Sequence, residues 1–186
     1  MSGAGATSRV RANAGVTTVW GRALHAELVK VVTLPAMWWS AAVAGGAAAA
    51  TMMSVLRDVV DGRGLGFEEV APVWALAVQI GFVAAGVASA GAEHSTAQGM
   101  TSLLVTPARR RLAAARLMVL AGTGLVTASV LVGASLAACP TTSTAALWAG
   151  GRTVVWLTAV LLLADGLGAA LRSVIGASTA AVALVI

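Results

Sequence analysis

Four apolar runs, each separated from the next by a polar interruption, limit what this chain can fold into more than any motif in it. They cover about 35–56, 70–92, 112–138 and 148–171. A stretch of roughly 20 residues, rising about 1.5 Å per residue, crosses a hydrocarbon core of about 30 Å. Inside that core every backbone N–H and C=O must be satisfied within the segment, so a run of this length spans as an α-helix. The expected fold is all-α, a polytopic membrane bundle with four full transmembrane helices. Composition agrees, because 59% of residues are hydrophobic and 10% charged, whereas a soluble domain carries about 25% charge. The net charge of +5 then bears on which ends stay inside rather than on nucleic acid, which is not an expected partner.

The flanks of these runs are unlike one another. Residues 1–15 are small and polar and read as a disordered cytoplasmic tail. In 16–34, Val16, Val19, Trp20, Ala23, Leu24, Val31 and Leu34 share one wide arc at helical spacing, with Thr18, Arg22 and His25 opposite. This predicts an interfacial helix on the inner leaflet, where Trp20 suits the headgroup zone. Glu27 and Lys30 fall within or beside the apolar arc at a spacing that permits a pair. Either they snorkel together at the interface or they point at protein beneath the spans. At the other end 173–186 is apolar but too short to cross, and reads as part of a fifth span. A truncated chain, a re-entrant segment and completion by a partner each account for it, the first most simply.

The connection 93–111 carries the one strong charge signature between spans. Ala97, Met100, Leu103 and Leu104 recur on one face of a short helix. Ser95 or Thr96 can cap its start and Pro107 ends it, having no N–H to give. Arg109, Arg110 and Arg111 follow, and such a cluster favours the cytoplasmic side. The connection 57–69 has two basic and four acidic residues and is expected outside. The N terminus and 93–111 are therefore both expected in the cytoplasm.

Little here resembles a catalytic centre. The chain has no G-x-x-x-x-G-K-[ST] phosphate loop, no H-E-x-x-H and no G-x-S-x-G elbow, so neither catalytic residues nor a metal site are expected. His25 and His94 stand far apart in sequence, and Cys139 is the single cysteine. Inside the spans, Asp165 and Arg116 lie at similar depth from the same side, which permits an ion pair between consecutive antiparallel helices. The competing expectation sends Asp165 to interfacial water beside Gly166 and Gly168. Gly81, Gly86 and Gly91 are spaced to let a neighbouring helix approach.

Two stretches resemble a known family. ALHAELVKVVTLPAMWWS, residues 23–40, is similar to the interfacial elbow and first-span entry of ABC transporter permeases of the type-2 exporter family, with Glu27 and Lys30 in the expected places. EHSTAQGMTSLLVTPARRR, residues 93–111, resembles that family's coupling segment, with Glu93 closing the second span and Pro107 preceding the Arg-rich exit. Ala97 stands where the family usually has Gly, Met100 and Val32 where basic residues are frequent, and His94 where an aromatic is frequent. The resemblance implies six spans per subunit, a second permease subunit and a multi-pass location in a bacterial plasma membrane. It also implies a separate cytoplasmic ABC ATPase holding ATP and Mg, contacted through Glu93, Met100, Leu103, Leu104, Pro107 and Arg109. The chain itself would hold no cofactor and would move an amphiphilic or hydrophobic substrate. A small membrane binding or immunity protein without an ATPase is the alternative from another class.

Overall fold

The computed structural model describes residues 20–61, 66–95, 109–139 and 143–171 together with Thr179, Ala180 and Ala183, and the regular structure among them is helix. Residues 20–33 form α1. Four long helices follow: α2, Pro35–Val60; α3, Phe67–Ser95; α4, Arg109–Ala138; and α5, Thr144–Leu171. The expected tail, the amphipathic face around Met100, Leu103, Leu104 and Pro107, and most of the partial fifth span lie outside the described residues.

The four long helices have 26, 29, 30 and 28 residues, about 39 to 45 Å, so each overreaches a hydrocarbon core of about 30 Å. All four are long and apolar enough to cross a membrane, over Pro35–Asp58, Phe67–Ala92, Leu112–Ala138 and Thr144–Leu171. Val73, Ile80, Val126, Val130 and Val155 stand exposed along them, a surface suited to lipid. Three ends of these apolar segments differ from the expected bounds: the first continues past Leu56 to Asp58, the second starts at Phe67 rather than near Val70, and the fourth starts at Thr144 rather than near Trp148. Hydropathy locates only the apolar core, whereas a helix propagates through polar residues until its backbone bonding is interrupted. At α5 that point is Ser143, whose Oγ accepts the Ala146 N–H at 2.9 Å as an N-cap.

The α1–α2 junction is pinned at a single non-helical residue. Leu34 N–H still donates to the Lys30 carbonyl at 3.0 Å, and Pro35 then has no N–H with which to continue the ladder. Trp38 Nε1 donates to the Val32 carbonyl at 2.8 Å, tying the first turn of α2 back to the last turn of α1.

In the bundle α3 is central, packed on one side by α2 and on another by α5, while α4 rests mainly on α5. Two glycines of α3 explain the arrangement. At about 100° per residue, Gly81 and Gly86 project about 140° apart around the helix. A Cβ at Gly81 would stand 2.6 Å from the Ser40 carbonyl oxygen of α2, and one at Gly86 would stand 2.5 Å from the Leu161 carbonyl oxygen of α5. Both neighbours are backbone, so neither can turn aside. Gly86→Ala should therefore destabilise the bundle by about 1–3 kcal/mol through overpacking. Gly122→Ala meets nothing within 4 Å and should be neutral or stabilising by up to about 1 kcal/mol. Unfolding in mixed micelles separates the two, and equal effects would contradict this packing. α2 and α4 scarcely touch. A cavity of about 100 Å³ lies between them, walled by Ala41, Ala44, Gly81, Gly124, Thr127 and Leu161.

Candidate functional site

Three helices bring one polar side chain each to the same end of the bundle. Ser89 on α3 and Arg116 on α4 lie about two turns from the helix ends that flank the 96–108 connection, and Asp165 lies about two turns from the C-terminal end of α5. Arg116 Nη2 forms an ion pair with Asp165 Oδ1 and donates to Ser89 Oγ at 3.4 Å. The side chains of Arg116 and Asp165 are only 12% and 5% exposed, so this contact is built into the packing. Gly86, one turn before Ser89, lets α3 close on α5 beside the Asp165 backbone, which brings the hydroxyl and the carboxylate within reach of one guanidinium. Ala90, Ala115 and Ala164, each next in sequence to one of these polar residues, are fully buried.

The cluster joins three helices through charge rather than through apolar contact alone. Arg116 and Asp165 stand within the crossing segments, where an unpaired charge costs about 2.5–3.5 kcal/mol on insertion scales. Pairing relieves both members together. Among the described residues no three His, Cys, Asp or Glu side chains converge as a metal site.

On α1 the residues that are not exposed are Trp20, Ala23, Leu24, Glu27, Lys30 and Val31, a helical stripe with Glu27 at its centre and only 6% exposed. Lys30 Nζ donates to Glu27 Oε1 at 2.7 Å. Leu28, Val29 and Val32 face outward instead. The Glu27 carboxylate is covered by protein and bonded by the lysine one turn on, whose own side chain stays 43% exposed.

Of the residues expected to contact an ATPase, only two fall within the described helices. Glu93 belongs to the last turn of α3 and Arg109 opens α4, which puts their backbones at the same end as the Ser89–Arg116–Asp165 cluster. Met100, Leu103, Leu104 and Pro107 lie outside the described residues.

Several polar residues escaped the reading of the sequence. Ser89 is an isolated hydroxyl in an apolar run, and such residues usually bond back to their own helix. Gln79, only 3% exposed in the middle of α3, accepts from Trp156 Nε1 of α5 at 3.3 Å. A buried amide inside a span was the available signal for it. Glu68 Oε1 accepts from Ser143 Oγ at 3.1 Å at the opposite end of the bundle. There burial, and then the Glu68 carboxylate, push the Cys139 thiol above its ordinary value.

Comparison with protein-family models, with curated proteins and with solved structures gives no match to this chain. Among the described residues the regular structure is helical, and four of the helices are long and apolar enough to cross a membrane.

Proposed function

We propose that this chain is the membrane-spanning permease subunit of an ATP-driven exporter of the ABC type-2 kind, moving an amphiphilic or hydrophobic substrate in a bacterial plasma membrane. ATP and Mg would be held by a separate cytoplasmic ATPase, and a second permease subunit would complete the pathway. The observation that carries this proposal is the α1–α2 unit. An amphipathic helix breaks at Leu34–Pro35 before the first crossing helix and carries a Glu27–Lys30 pair whose carboxylate is covered, an arrangement that would suit an interfacial elbow. Supporting it, the 96–108 connection between α3 and α4 has the sequence of a short amphipathic segment followed by Arg109, Arg110 and Arg111. Chemistry would then reside in the partner, and this chain would convert the partner's closure into helix movement.

The test is to purify the chain from its native membrane and ask whether an ATPase with a phosphate loop accompanies it. Copurification with ATP-dependent export supports the permease. A stable chain that binds a peptide or lipid without any ATPase would replace it with a binding or immunity protein.

The orientation follows from the same proposal and can be tested alone. With Cys139 replaced by Ala, a cysteine at Gly64 should react with a membrane-impermeant thiol reagent in intact cells, and one at Gln98 should react only after permeabilisation. The reverse pattern would invert the topology.

A further inference from the structure

At the end of the bundle remote from the Arg116–Asp165 pair, α3 and α5 enclose a groove of about 540 Å³ lined in part by Glu68, Pro72, Leu76, Gln79, Arg152 and Trp156. Its size falls within the roughly 300–1,000 Å³ of small-molecule sites. Neither charged residue is satisfied by the other. Glu68 Oε1 is taken by Ser143, while Oε2 is buried without a donor. Pro72, four residues on within α3, has no N–H to return to the Glu68 carbonyl. Two acceptors of one residue thus lack their usual donors. Arg152 lies inside the segment Thr144–Leu171 that suits a membrane, and among the described residues it forms no ion pair. An ionisable residue so placed calls for an anion or a path to water.

The order of these groups along the bundle is informative. Glu68 is the second residue of α3 and Arg152 the ninth of α5, so the arginine backbone lies about 12 Å below the start of its helix. Long helical side chains lean toward the N-terminal end, which carries the guanidinium back in the direction of Glu68. Deeper still, Gln79 and Trp156 close the floor. Leu76 and Ile80 are about half exposed beside it, on a surface suited to lipid. From the end of the bundle inward the groove therefore offers acceptors for a hydrogen-bonding cation, then a cation for an anion, then an apolar wall.

That sequence matches one molecule of the surrounding solvent. We infer that the groove binds a phospholipid whose headgroup carries a primary ammonium, of the phosphatidylethanolamine kind, with the ammonium at Glu68, the phosphate at Arg152 and an acyl chain along Leu76. A trimethylammonium headgroup has the same charges but no N–H, so it leaves Glu68 Oε2 without its donor. The site is independent of the proposed export role, because binding is measured with no ATPase present.

The experiment is native mass spectrometry of the full chain released from nanodiscs containing equal amounts of phosphatidylethanolamine and phosphatidylcholine. The wild type should retain the ethanolamine lipid about tenfold over the choline lipid, the factor expected of a charge-assisted hydrogen bond. Glu68→Gln keeps the acceptor for Ser143, and Arg152→Gln changes an exposed side chain, so both should fold. Each should lower retention of the ethanolamine lipid about tenfold, while Arg57→Gln on α2 should not. Leu76→Trp supplies a second route, filling the groove without altering its charge, and should also expel the lipid. Melting in lipid-free detergent checks that each variant is folded. Equal retention of the two lipids, or unchanged retention in folded Glu68→Gln and Arg152→Gln, would overturn the site. Saturable binding of soluble phosphoethanolamine without lipid preference would overturn its assignment to a membrane lipid.

Discussion

Asp165→Ala should destabilise the bundle by about 3–5 kcal/mol, the cost of breaking a buried ion pair by removing one partner. The substitution leaves the Arg116 guanidinium inside the packed end of three helices, where its side chain is only 12% exposed. Ser89, at 3.4 Å, supplies a neutral oxygen that cannot replace a carboxylate. Arg116→Gln removes the charge that needed a partner but strands Asp165, which is more deeply covered, so it too should be costly. Removing both charges with Asp165→Asn and Arg116→Gln should cost less than the sum of Asp165→Asn alone and Arg116→Gln alone, with a coupling of about 0.5–3 kcal/mol. Equilibrium unfolding of all four proteins in mixed micelles measures the cycle. Strictly additive losses would mean that the two side chains do not sense one another.

How much of this was legible beforehand depended on which physical signal each feature carries. The four crossing helices were visible because a run of apolar residues has one stable form in hydrocarbon. Their ends were not: Glu68 and Glu69 stand in the first turn of α3 and Thr144 begins α5, although hydropathy gives no credit to such residues. Ser143 could have marked the start of α5, since a serine three residues before a paired amide is a cap that sequence alone can suggest. Arg116 and Asp165 could be matched by depth, because charges within spans are rare enough to seek each other. Ser89 could not be added to them, because a lone serine in an apolar helix has no distinguishing pattern. Gly81 and Gly86 announced close approach without naming the partners. Their assignment to α2 and α5 required the tertiary packing. Glu27 shows the opposite case, a charge in an apolar arc whose inward direction the periodicity left open between lipid interface and protein.

On the proposed export role, the Ser89–Arg116–Asp165 cluster occupies a consequential place. Ser89 and Arg116 lie about two turns from the two ends of the 96–108 connection, and Asp165 carries their link to α5. A displacement of that connection would thus be delivered to three helices through one guanidinium. The contact with the ATPase would be made by Met100, Leu103 and Leu104, whose spacing gives a single apolar face.

On that proposal, Leu104→Asp tests the contact most directly. A charge placed in an apolar interface loses a hot-spot contact and leaves an unpaired carboxylate, so copurification of the ATPase should fall to background while membrane insertion and expression are retained. Lipid contact and protein contact differ in a second respect. A bilayer surface requires only apolarity, whereas a shaped groove also responds to volume, so Leu103→Phe should weaken copurification while leaving membrane association unchanged. The decisive measurement is the amount of ATPase recovered with Leu104→Asp relative to wild type, from membranes with matched levels of the chain. Loss of the ATPase together with loss of ATP-dependent export is the predicted result; undiminished recovery with undiminished export would contradict the coupling role of this segment.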